Sequence, residues 1–109
     1  MPKFAQNKQE TMASFNDLIK SETPLLVAVI SDWATPSEQL SPILKKAKNQ
    51  FSSDLNIIKI DAEKNKAIPT KFNIIGLPCL ILFKSGTKHW QQSGIPDEDQ
   101  LFIKIKELV

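Results

Sequence analysis

Arginine and tyrosine are absent from this 109-residue chain, cysteine and histidine occur once each, and glycine three times. Each shortage removes a class of function. Without arginine there is no planar guanidinium fork, the usual tool for bidentate recognition of phosphate or guanine. A lone cysteine, Cys79, excludes an intramolecular disulfide and a cysteine-based zinc cage. A lone histidine, His89, leaves no partner for a histidine metal pair. Three glycines cannot build a phosphate-cradling loop, and neither GxGxxG nor GxxxxGK[ST] occurs. No metal and no cofactor are therefore expected. No run of about 18 apolar residues exists, so no transmembrane helix is expected. The polar stretch from Met1 to Glu10 lacks a signal peptide's apolar core, which points to a cytoplasmic protein.

The net charge of +2 is too small to signal nucleic acid or an acidic membrane. The lysines are spread along the chain, and the one close group, Lys45, Lys46 and Lys48, reads as the solvated face of a helix. The expected partner is a protein or peptide, with neither nucleic acid nor membrane, and the chain itself a monomer or weak homodimer.

What is present has the pattern of one α/β domain spanning residues 1–109. A short strand is expected around Lys3 to Ala5. Met12, Phe15, Leu18 and Ile19 recur at helical spacing, predicting a helix from about Lys8 to Lys20. Leu25 to Ile30 is a continuous apolar run, as in a strand covered on both faces. Thr35 and Glu38 form a capping box with Pro36 at the first helical position, so a helix starts there and runs to about Gln50. Leu40, Ile43, Leu44 and Ala47 form its inner stripe, and Pro42 should kink it. Leu55 to Ile60 reads as a strand closing at Asp61, and Asn65 to Phe72 as a short helix interrupted by Pro69. Cys79 to Phe83 is a second fully apolar strand. Ser85-Gly86 turns it into a hairpin with Lys88 to Gln92, the strand that carries His89 and Trp90. Asp97 to Gln100 opens a last helix, with Leu101, Phe102, Ile105 and Leu108 inward. Two apolar strands with helices between them predict a three-layer α/β/α sandwich around a central sheet.

At Trp33 the pattern meets a family. An apolar strand, Trp-x-x-Pro opening a proline-kinked helix, and Gly-Leu-Pro before a second apolar strand together resemble thioredoxin. Trp33 and Pro36 fit the motif Trp-Cys-Gly-Pro-Cys. Pro42 fits the helix kink, Asp61 the acid closing the next strand, and Asn73 to Pro78 the segment ending in the family's cis-proline. Phe83 to Gly86 fits the hairpin and Gly94 the glycine lining the substrate groove. The order and spacing of these pieces are specific, and the likeness runs from about Phe15 to Leu108. It implies a thioredoxin fold with a central mixed sheet.

The departures bear on function. Both redox cysteines are replaced, by Ala34 and Ser37, and Thr35 replaces a glycine. Ala28 stands where thioredoxins usually carry a buried acid. Thioredoxin chemistry needs a thiolate at a helix N-terminus and a second thiol to resolve the mixed disulfide. Ala34 offers no nucleophile. Ser37 would need an adjacent base, and His89 is expected elsewhere, on the hairpin. No catalytic residue is assigned.

The resemblance leaves a peptide groove from Trp33, Pro36, Ile75, Leu77, Pro78 and Gly94, where the backbone beside the cis-proline pairs with an extended segment. The reading is a redox-inactive thioredoxin-like protein or peptide-binding module, an adaptor within cell redox homeostasis. Two alternatives share these residues. One is a disulfide oxidoreductase carried here as a Cys-to-Ala/Ser variant. The other is a monothiol protein using Cys79, next to the cis-proline.

Overall fold

A computed structural model of the chain describes residues 15–31 and 36–109, without the side chains of residues 36–38. The expected strand at Lys3 to Ala5 and the beginning of the first helix lie outside the described residues. Helix α1 is described over residues 15–19. It is followed by β1 (Leu25–Ile30), α2 (Pro36–Phe51), a 3-10 turn (Ser52–Asp54), β2 (Asn56–Asp61), α3 (Ala67–Lys71), β3 (Cys79–Lys84), β4 (Thr87–Ser93) and α4 (Glu98–Leu108).

The four strands form one mixed sheet in the order β2-β1-β3-β4. Strand β1 runs parallel to β2 and antiparallel to β3, and β3 runs antiparallel to β4. The apolar runs occupy the two middle positions, where a strand is covered on both faces along its length. Alternation then divides each run between two cores. Leu26 and Ala28 of β1 and Leu80 and Leu82 of β3 face α2 and α4. Leu25, Val27 and Val29, with Cys79, Ile81 and Phe83, face α1 and α3.

Helix α2 buries Leu40, Leu44, Ala47 and Phe51, spaced by three and four residues as one helix face requires. Pro42 lies inside α2 and the helix continues past it. The expected interruption at Pro69 does not occur. Pro69 falls within the first turn of α3, where a backbone N–H has no partner inside the helix to lose. On the second core Phe15 meets Phe72 and Phe83 with ring centroids 5.6 and 5.7 Å apart. That contact holds α1 and the end of α3 against β3.

The hairpin between β3 and β4 is a two-residue turn with positive φ at both Ser85 (52°) and Gly86 (84°), the twist that suits antiparallel strands. Its tip is tied to α1 and the residues after it: Ser85 N donates to Ser21 O and Gly86 N to Ile19 O. Asp97 caps α4, its Oδ1 accepting from Asp99 N (2.9 Å) and Gln100 N (3.5 Å). A cavity of about 700 Å³ opens beside β2, with Leu18, Leu44, Lys45, Ile57 and Lys59 among its walls. Among the described residues, none of the expected groove lines it.

Candidate functional site

Strand direction decides what meets at each end of the sheet. Val29 near the end of β1 pairs with Cys79 at the start of β3, and Cys79 pairs with Ser93 at the end of β4. Three connections therefore converge: the segment leaving β1, the loop entering β3, and the turn leaving β4. Trp33, Ala34 and Thr35 of the first connection lie outside the described residues, as do the side chains of Pro36 and Ser37. The other two are described in full.

The loop into β3 begins with a precise stop to α3. Asn73 takes a positive φ of 53°. Its N–H bonds Thr70 O, and Ile74 N bonds Pro69 O at 2.9 Å. This pair of bonds is the Schellman termination, in which a left-handed residue just past the helix reverses the chain. Asparagine serves there because its short polar side chain tolerates that backbone. Ile74 and Leu77 then pack against the α1/α3 core, whereas Ile75 between them projects outward at 97% exposure. The Leu77–Pro78 peptide is cis, and Pro78 is buried.

The turn leaving β4 closes on this loop. Gly94 N donates to Pro78 O at 2.7 Å. Gly94 has φ +87°, and a Cβ placed on it would meet nothing within 4 Å. Gly76 lies against Ser93, whose Cβ would be 3.7 Å from a Cβ on that glycine. Ile95 packs partly onto the α2/α4 core. The two segments thus meet with glycine backbone on both sides, Gly76 on one and Gly94 on the other. Among the described residues, no hydrogen bond is made by the backbone N–H or C=O of Ile75, Gly76 or Leu77.

The structure thus brings together Ile75, Leu77, Pro78 and Gly94 of the expected groove. Gln91 supports it from beneath, its Nε2 donating to Phe72 O at 3.0 Å while Oε1 accepts from Lys88 Nζ at 2.9 Å. Sequence reasoning missed that brace, since a glutamine in a strand carries no signal of its target. The direction of Ile75 was equally hidden. Ile74 and Ile75 are chemically alike, and only the turn at Asn73 decides which faces out.

Cys79 sits beside the groove in sequence but not in exposure. It is fully buried among Val29, Ile81 and their neighbours. Burial pushes its thiol above the ordinary cysteine range, opposed less strongly by hydrogen bonds to Ser93 and Gln91 and by the charge of Lys88. A buried, protonated thiol is a poor nucleophile, so the geometry gives the monothiol alternative no support. His89 is the extra residue of a bulge: Leu82 pairs with Trp90 and Phe83 with Lys88. It is exposed and lies four positions back from Ser93, roughly 13 Å along the strand. Trp90 packs partly onto the α2/α4 core.

At the same end of the sheet, Asp61 shapes the turn after β2. Its Oδ1 accepts from Glu63 N (2.8 Å) and Lys64 N (3.3 Å). Asn65 Nδ2 donates to Asp61 O at 2.9 Å, leaving its own buried Oδ1 unpaired. Among the described residues no cluster of histidine, cysteine, aspartate or glutamate could hold a metal ion.

Comparison with known proteins agrees with this architecture. The thioredoxin family model matches residues 6–107. Thioredoxin Y of rice, a chloroplastic protein, is 33% identical over 102 residues, covering 93% of this chain and 61% of the rice protein. The chain thus spans under two thirds of that relative's length. A thioredoxin-like protein of Synechocystis is 29% identical over 102 residues, covering 93% of this chain and 97% of its own. Among solved structures, mitochondrial thioredoxin 3 of Saccharomyces cerevisiae superposes with a TM-score of 0.80 at 24% identity, covering 89% of this chain and 90% of that one. A mutant thioredoxin of Halobacterium salinarum gives 0.77 at 26% identity, covering 98% and 89%. With its family match running nearly from end to end, and its mixed sheet in the same arrangement, the chain belongs to the thioredoxin family.

Proposed function

We propose that this protein is a redox-inactive member of the family that binds an extended segment of another protein in the groove between residues 75–78 and 94–95. The observation that carries this reading is the unpaired backbone of Ile75, Gly76 and Leu77, with Ile75 exposed and Gly76 beside Ser93. An extended chain laid along it can exchange main-chain hydrogen bonds as an added strand does, and no chemistry is needed for the contact. The same stretch has no sulfur in position to attack a substrate. Ala34 and Ser37 replace the two redox cysteines, and Cys79 is buried.

Titration of the 15N-labelled chain with a panel of cysteine-free synthetic dodecapeptides tests the reading. Binding shifts the amide resonances of Gly76, Leu77, Ser93, Gly94 and Ile95 while those of β2 stay in place. If every peptide leaves those resonances unmoved, or moves only those along β2, the proposal fails.

A further inference from the structure

Ile75 is the most exposed of the large apolar side chains among the described residues, at 97% against 56% for Ile103 and 52% for Val109. It plays no part in the core. Its neighbours Ile74 and Leu77 supply the loop's packing, and the Asn73 turn holds Ile75 outward. Isoleucine is stiff at χ1, so little rotamer freedom is lost when a partner covers it.

The surroundings add a second observation. In a chain whose residues are 24% charged, Phe72 to Phe83 and Trp90 to Pro96 contain no lysine, aspartate or glutamate. Both segments that wall the groove are therefore neutral. These two segments offer main-chain hydrogen bonds and apolar contact, with no charge of their own to steer or select a ligand.

We infer that Ile75 determines which segments the groove accepts: uncharged, extended stretches that place a large aliphatic or aromatic side chain over it. This inference rests on the groove reading above and adds to it the chemical class of the partner. A partner side chain packed on Ile75 is removed from water together with it. That contact sets the identity of one partner residue, while the backbone of residues 75–77 sets only that the segment is extended.

Panning a phage library of random cysteine-free dodecamers on the full chain, followed by titration of the enriched sequences as synthetic peptides, tests this. Enriched sequences share a large apolar residue with uncharged neighbours. Ile75→Asp weakens them by about tenfold or more, the equivalent of hiding a good part of one isoleucine. Ile75→Val changes affinity by less than about twofold. Raising NaCl from about 50 to about 500 mM also changes it by less than about twofold, since no ion pair is involved. Ile75 makes no core contact, so circular dichroism of both variants matches that of the parent chain. If peptides bind with amide shifts at Gly76, Leu77 and Gly94 but charged sequences are enriched, or Ile75→Asp binds as well as the parent, the inference falls and the groove stands. If no sequence is enriched, or the shifts lie elsewhere, both fall.

Discussion

Replacing each groove glycine by alanine separates backbone strain from crowding. Gly94 has φ +87°, and a Cβ there would touch nothing within 4 Å. Gly94→Ala therefore has no steric cost, only that of holding an L-residue in the left-handed region, about 1–2 kcal/mol. A smaller gain opposes it, because alanine restricts the unfolded chain. The net loss is about 1 kcal/mol. At Gly76 φ is not positive, and the added Cβ would lie 3.7 Å from Ser93 Cβ, an ordinary contact. Gly76→Ala should thus change stability by no more than about 0.5 kcal/mol in either direction. Urea unfolding followed by tryptophan fluorescence reads both. With m of about 1–3 kcal/mol/M, Gly94→Ala lowers the midpoint by roughly 0.3–1 M at unchanged m, and Gly76→Ala leaves it nearly in place. In a thermal melt the first loses roughly 4–8 °C. Equal midpoints for the two variants, or a larger loss at Gly76, would refute this account of the groove backbone.

Cys79 should react with iodoacetamide only slowly in the native chain near pH 8.5 and readily in denaturing urea; fast native labelling would contradict its burial. Its thiol is held above its unfolded value, so the stability linked to it is fully present below about pH 8.5 and is lost as pH rises through the folded value. The urea midpoint of the parent chain should accordingly fall more between pH 7 and about pH 10 than that of Cys79→Ala, and equal falls would contradict the shift. Asp97→Ala removes the acceptor for Asp99 N and Gln100 N and should cost about 1 kcal/mol in a far-ultraviolet melt, most of it retained in Asp97→Asn.

Much of the fold was legible because each major element carried its own periodicity. The runs Leu25 to Ile30 and Cys79 to Phe83 are apolar at every position, which suits only strands covered on both faces, and they are the two middle strands. The stripe of α2 and the Asp97 cap of α4 were equally plain. Pro69 misled because a proline's effect depends on its place in the helix, and a five-residue helix leaves no periodicity from which to locate its start. At the site, Pro78 and Gly94 could be picked out by their order along the chain. The burial of Cys79 followed from its place at the head of an apolar strand, but the outward turn of Ile75 and the brace from Gln91 to Phe72 could not be read. Each depends on a contact across the sheet or on one residue's backbone angle, neither of which leaves a trace in local composition.

On the proposed function, this thioredoxin scaffold keeps a peptide groove and has lost its dithiol chemistry. The most direct test is the reduction of insulin disulfides by the purified full chain in the presence of dithiothreitol, read as turbidity from the released chains. The account predicts the rate of dithiothreitol alone at every protein concentration, with Cys79→Ala indistinguishable from the parent. A rate that rises in proportion to the protein would contradict it.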